Sequence, residues 1–193
     1  KDRLYTAGKK SLSRRACQTV LYETLQTLVR ILAPVMPHQA EDIWQNIPDM
    51  HKNGLISVLL TNWPTIHSTW TNEALEKDFS KILETREVVT RAIEPLRAEK
   101  KVGSSLEVAV FVKSENNSDI LKVNQDDLCD IFITSQAYIT EEKPNNILNE
   151  YSEEGYTVWV TKAEGEKCER CWKYRKLGEH QGYETICSDC YDA

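Results

Sequence analysis

The chain has 193 residues, with 24 Lys and Arg against 30 Asp and Glu for a formal charge of -6, 40% hydrophobic residues and six cysteines. Its longest uninterrupted apolar run, Val108 to Val112, is far short of the ~18 residues that a membrane span needs, while the apolar content suffices for one medium domain or two small ones. The acidic total argues against binding nucleic acid through a bulk basic field and leaves local basic patches open.

In chain order, Lys1-Asp2-Arg3-Leu4-Tyr5 has no initiator methionine and no export leader, so the sequence reads as a soluble piece of something longer. Lys1, Arg3, Lys9, Lys10, Arg14 and Arg15 make the first stretch basic, whereas Glu141 to Glu154 is acidic; charge is segregated along the chain. Leu12, Ala16, Val20, Leu21, Leu25, Leu28, Val29 and Leu32 recur at three- and four-residue steps. That period predicts an amphipathic helix over 11–33, ended by Pro34 and Pro37. A short helix is expected after Pro37, with Glu41 and Asp42 near its N-terminus and Pro48 stopping it. Residues 49–71 read as a connection. Trp44, Trp63 and Trp70 are expected to plug helix junctions rather than form a ligand platform. Asn72 caps a third helix whose stripe is Leu75, Phe79, Ile82, Leu83, Val89, Ile93 and Leu96, kinked at Pro95 and ended by Val102-Gly103. Residues 1–103 thus read as an α-helical bundle.

After Gly103 the texture changes. Leu106 to Lys113, Ile131 to Thr134, Ala137 to Thr140 and Thr157 to Thr161 have the β-branched and aromatic content of strands, so 104–162 reads as a small α+β module. Ser114 to Asp119 is expected as a loop, and Glu141 to Gly155 as an exposed, mobile one in which Ile147 and Leu148 are the available anchors.

Residues 163–193 carry the clearest chemistry. Cys168-x-x-Cys171, fifteen residues, then Cys187-x-x-Cys190 is the spacing of a four-thiolate structural zinc site, closed to water and substrate. Two disulfides are the competing reading, and an iron–sulfur cluster also fits four cysteines. Cys17 and Cys129 stand apart and are expected to be small buried apolar groups. Between the pairs, Arg170, Lys173, Arg175 and Lys176 alternate with Trp172 and Tyr174, the combination of rings and cations that suits unpaired RNA bases and phosphate. A solvated surface is the plain alternative. No Gly-rich phosphate loop, Gly-x-Ser-x-Gly or His-Glu-x-x-His occurs, so no catalytic residue is assigned.

Three segments together resemble the C-terminal part of the bacterial-type isoleucyl-tRNA synthetase family. They are Lys1-Asp2-Arg3-Leu4-Tyr5 with Arg14-Arg15-x-Cys17-Gln18-Thr19 and Leu32-Ala33-Pro34-x-x-Pro37-His38-x-Ala40-Glu41-x-x-Trp44; Lys101-Val102-Gly103-x-Ser105-Leu106-Glu107; and Ala163-Glu164-Gly165-x-Lys167-Cys168-x-Arg170-Cys171-Trp172. The resemblance implies an α+β chain made of a class I synthetase anticodon-binding helical bundle (1–103), a small α+β linker module (104–162) and a four-cysteine zinc-finger domain (163–193). It implies one structural zinc on Cys168, Cys171, Cys187 and Cys190, and isoleucine tRNA as partner. Arg170, Trp172, Lys173 and Lys176 near the metal, and Arg14, Arg15, Arg97, Lys100 and Lys101 on the bundle, are then the candidate RNA contacts. The family's intact enzyme uses ATP to attach isoleucine to tRNA and edits mischarged valine; those parts lie outside this chain, which is expected to bind and not catalyse. A monomer is expected, in a bacterial cytoplasm or alternatively a chloroplast or mitochondrial matrix. A zinc-knuckle module that docks on protein, without RNA specificity, is the other reading. The chain departs from the family at one point: Cys187-Ser188-Asp189-Cys190 stands where the family often has Cys-Gly-Arg-Cys, which puts a basic contact at position 189 in doubt.

Overall fold

Ser11 stops the chain ahead of the first long helix. Its backbone is extended and its Oγ accepts from the Arg14 N–H at 3.2 Å, satisfying one of the amides a helix start leaves unpaired. The computed structural model describes the backbone of residues 2–193 and the side chains of 3–193; Lys1, part of the expected basic cluster, lies outside them. The described chain divides into two compact units, Arg3–Thr71 and Asn72–Ala193.

In the first unit, α1 (Asp2–Tyr5) precedes α2 (Leu12–Leu32) and α3 (Pro37–Asn46), the last opening on Pro37. Three 3-10 turns follow, at Asp49–His51, Val58–Leu60 and Ser68–Trp70. Trp44 is the centre of the core, packed with Val29, Ala33, Ala40, Ile47 and Val58, and its indole Nε1 donates to the Leu55 carbonyl at 3.3 Å. The Glu41 carboxylate accepts from Ser57 Oγ, Gln45 Nε2 and the Val58 N–H, which hold its pKa below the usual carboxylate range, the Ser57 bond contributing most and the Gln45 bond next. Two expectations are corrected here. Trp63 and Trp70 are 66% and 60% exposed; they sit on the connection that follows α3, and Trp70 leans on His67 with ring centroids 4.4 Å apart. The stripe that predicts α2 is also mostly uncovered: Leu12, Ala16, Val20, Leu21, Leu25 and Leu28 are exposed, and Val29 is its buried member.

In the second unit α4 (Glu73–Ala98) is capped by Asn72, whose Oδ1 accepts from the Leu75 N–H. It runs unbroken through Pro95, because a proline this close to the C-terminus removes one interior bond and little else. Gly103 is not its stop. Lys100, at φ 56, takes the left-handed position; the Lys101 N–H bonds the Leu96 carbonyl and the Lys100 N–H that of Arg97, the paired bonds of a Schellman end. Expected as a bundle member, α4 buries Ile82, Val89, Ala92, Ile93 and Leu96 in the core of a sheet.

That sheet has order β2-β1-β4-β3, with β1 Val108–Ser114, β2 Gln136–Ile139, β3 Asn149–Glu153 and β4 Tyr156–Lys162. β1 and β2 are parallel, joined through α5 (Ser118–Val123) and α6 (Gln125–Phe132), and the other pairs are antiparallel. Ile131 to Thr134, read as a strand, is the end of α6. Ile133 caps it at φ 58 and the Thr134 N–H returns to the Cys129 carbonyl, so this apolar run serves a helix face rather than a strand. The 114–119 loop gives way to α5 at Ser118, and the acidic stretch contains an ordered edge strand, β3. Leu148 anchors it, partly buried on the core with its N–H on the Val160 carbonyl at 2.7 Å. No described helix is long and apolar enough to cross a membrane.

Candidate metal centre and nucleic-acid interface

Two short strands, β5 (Glu166–Lys167) and β6 (Tyr174–Arg175), pair antiparallel and present the first cysteine pair in the turn between them. The Cys168 N–H bonds the Lys173 carbonyl at 2.9 Å, and the Trp172 N–H bonds the Cys168 carbonyl at 2.8 Å with Trp172 at φ 66. The second pair opens α7 (Ser188–Tyr191), where the Cys190 N–H bonds the Cys187 carbonyl at 3.0 Å. Leu177 bridges to Cys187 and brings the turns together. All four sulfurs lie within 4.8 Å of one another, Cys171 and Cys187 at 3.9 Å. A tetrahedral ion with zinc–sulfur bonds of about 2.3 Å requires sulfurs about 3.8 Å apart, so the donor set fits one zinc ion and leaves no coordination position for substrate.

The electrostatics point the same way. Burial opposes ionisation of Cys168, but N–H groups of Cys171, Cys187 and Arg170 outweigh it and bring the thiol down to about 6. Burial pushes Cys171 up to about 11, and burial with the neighbouring sulfurs raises Cys190. Burial and the neighbouring sulfurs thus oppose ionisation at Cys171 and Cys190. A divalent cation at the centre of the cluster supplies the charge that allows four thiolates.

The knuckle is fixed to the α+β module by groups that sequence reasoning missed. Ser135 Oγ accepts from the Tyr174 N–H at 2.7 Å. Gln136 donates through Nε2 to the carbonyls of Glu164 and Tyr174 and accepts the Glu164 N–H through Oε1. Lys173, expected to reach RNA, is instead 5% exposed, with Nζ paired to Asp130 and 3.6 Å from Cys129 Sγ. Burial opposes its charge, yet the Asp130 carboxylate prevails and its pKa is raised. It is a structural latch, and this corrects its assignment. These partners lie 28 to 44 residues apart in sequence, a range at which no local pattern signals them.

The other candidates fall as follows. Trp172 is 54% exposed with Lys167 Nζ 5.8 Å from its ring centre, a cation–π pair across the turn that the basic stretch alone does not indicate. Arg170 donates to the Cys190 carbonyl. Lys176 is exposed and pairs with Glu179 at 3.0 Å. Arg175 pairs with Asp189, so the acid between the second pair of cysteines is engaged within the knuckle. On the helices, Arg14 donates to the Ala7 carbonyl at 3.1 Å and Arg15 is exposed. Arg97, Lys100 and Lys101 share the exposed end of α4, Arg97 with Glu94 and Lys101 with Glu99. Cys17 and Cys129 are half-buried, Cys129 against the sheet core.

Residues 1–112 match the model of the anticodon-binding domain of tRNA ligases, and residues 165–193 match a zinc finger found in FPG and IleRS. Over its whole length the chain is 40% identical to an isoleucine–tRNA ligase of Gloeobacter violaceus, and over 99% of it 37% identical to a chloroplastic/mitochondrial isoleucine–tRNA ligase of Arabidopsis thaliana. A Moorella thermoacetica isoleucine–tRNA ligase is 38% identical over 98% of the chain. The chain spans 19%, 20% and 21% of these three relatives respectively. With more than half of its residues in the first match, the chain belongs to the anticodon-binding family of tRNA ligases, and it is similar throughout to the isoleucine enzymes.

Proposed function

We propose that this chain recognises the anticodon stem-loop of isoleucine tRNA for an isoleucine–tRNA ligase. The observation that carries the reading is the coexistence on one chain of the anticodon-domain match and the zinc-finger match, with four sulfurs at metal-binding separation. In the proposed division, 1–103 is the anticodon-binding bundle, 104–162 the linker module and 163–193 the four-cysteine finger. The complete ligase would attach isoleucine with ATP and hydrolyse mischarged valine through parts that do not include these residues. It would act as a monomer, in a bacterial cytoplasm or in an organelle, the latter being the compartment printed in the name of the Arabidopsis relative.

Arg170, Trp172 and Lys176 at the knuckle, and Arg14, Arg15, Arg97, Lys100 and Lys101 on the helices, are the proposed contacts. Exposed cations fix register on phosphate and Trp172 stacks on an unpaired base. Binding of isoleucine tRNA, followed across a salt series, tests this. Affinity should fall log-linearly with salt, with a slope of roughly 0.7 to 0.9 for each phosphate engaged. Equal affinity for all tRNAs would sink the reading and favour a protein-docking role for the knuckle.

A further inference from the structure

The four sulfur ligands are not equally sheltered. Cys168, Cys187 and Cys190 are 0%, 2% and 1% exposed, whereas Cys171 is only half-buried. Cys168 Sγ accepts the Cys187 N–H at 3.4 Å, which ties it to the second cysteine turn. Cys171 lies in the turn between β5 and β6, flanked in sequence by Arg170 and Trp172, both exposed.

A second approach to the metal centre exists. Cys187 borders an open cavity of about 430 Å³ whose lining also includes Arg175, Lys176, Glu179, Ser188 and Asp189. Polar contacts bar that side. Arg175 on β6 pairs with Asp189, which lies between the second pair of cysteines. Ser188 Oγ donates to the Glu179 carboxylate, which also holds Lys176. Arg170, between the first pair, donates to the Cys190 carbonyl. The two arginines thus tie the 187–190 turn to the hairpin that carries Cys168 and Cys171, and Cys187 stays shielded although it borders the cavity.

A closed four-thiolate ion is exchanged or attacked when a new donor or an electrophile reaches the ion or one of its sulfurs, and susceptibility follows exposure. We propose that metal exchange and attack by thiol-reactive electrophiles pass through the Cys171 corner, and that the Arg175–Asp189 pair keeps the Cys187 side shut. With iodoacetamide as the electrophile, Cys171 Sγ forms the new S–C bond and iodide leaves with the electron pair of the C–I bond. The thioether left behind has lost the thiolate charge that binds the metal.

The test measures initial labelling rates on the zinc-loaded full chain under limiting iodoacetamide, by mass spectrometry after tryptic digestion. Cleavage after Lys167, Arg170 and Lys173 places Cys168 and Cys171 on separate peptides, and fragmentation separates Cys187 from Cys190. Cys171 should be labelled on the order of tenfold faster than the other three ligands, because a shielded sulfur must first be opened locally and tenfold corresponds to about 1.4 kcal/mol. Zinc release to a colorimetric chelator should keep pace with Cys171 labelling. Arg175→Gln and Asp189→Asn should each raise the Cys187 rate severalfold, and Arg175→Lys, which keeps the charge, should restore protection. Zinc content before labelling confirms that each variant is folded. Equal rates at the four sulfurs, or Cys187 labelled ahead of Cys171 in the parent chain, would overturn the inference without recourse to any variant. A Cys187 rate unchanged in both Arg175→Gln and Asp189→Asn would remove the ion pair from it.

Discussion

Single residues decide how the knuckle is held. Gly165 sits at φ 93, and a Cβ there would lie 2.5 Å from the Arg175 carbonyl oxygen, so both the dihedral and the space exclude a side chain. Gly165→Ala should therefore separate β5 from β6 and destabilise the finger by about 2 kcal/mol or more, seen as weaker zinc affinity with the sheet unaffected. Lys173 makes a second prediction through an inequality. Its side chain is 6% exposed while that of Asp130 is 33% exposed, so the acid retains access to water and the ammonium does not. Lys173→Met should cost about 2 kcal/mol in urea unfolding, whereas Asp130→Asn should cost more, because it leaves a buried cation without its counter-charge. A small loss for Asp130→Asn, whose amide oxygen can still accept from Lys173 Nζ, would mean that the pair acts through hydrogen bonding alone. Neither residue announces its role in the sequence. The zinc ligands do, because a metal turn is built within four residues, while the latch joins positions 43 apart.

At the scale of elements, the long helices were legible and the short ones were not. α2 and α4 repeat apolar residues over five or more turns and carry polar caps at Ser11 and Asn72. α5 and α6 are six and eight residues long, too short for a period to stand out, and their Ile and Leu content resembles that of strands. β3, Asn-Glu-Tyr-Ser-Glu, has no β-branched residue and reads as loop. It is recruited by its hairpin partner β4 through the Glu154-Gly155 turn, both residues at positive φ, and by an ion pair from α4, where Arg91 meets Glu153. The Arg91 hydrogen bond, with a smaller contribution from Tyr151, holds the Glu153 carboxyl below its ordinary value of 4.5. A depressed carboxylate contributes stability that is complete above the unfolded value and is lost as pH falls through the folded one. Glu153→Gln should thus lower stability at pH 7 and converge on the parent under acid conditions, where the parent's Glu153 is also protonated. A difference that persists unchanged into acid would assign the effect to packing instead of charge.

For the whole molecule, the unequal cores set the order of stability. The second unit buries seventeen apolar residues in one cluster drawn from α4, the sheet and both crossover helices, whereas the first buries six around Trp44. The first also leaves much of the α2 stripe in water. Burial of apolar surface is the main stabilising term, so residues 72–193 should fold alone with a cooperative transition, and 3–71 should melt first in the full chain. Within the second unit the zinc finger depends on its ion, since a segment of 165–193 has a core made of little besides its four cysteines, Leu177 and Ile186. Metal binding to such sites supplies on the order of 10 kcal/mol. Hydrogen exchange on 72–193 before and after chelation joins the two expectations in one measurement. Amides of 166–191 should lose protection when the ion is removed, while β1 and β4, buried at the centre of the sheet, should keep theirs. Loss of protection across the sheet as well would show that the latch through Lys173, Ser135 and Gln136 makes finger and sheet one cooperative body, and that zinc holds the α+β module together as well as its own loop.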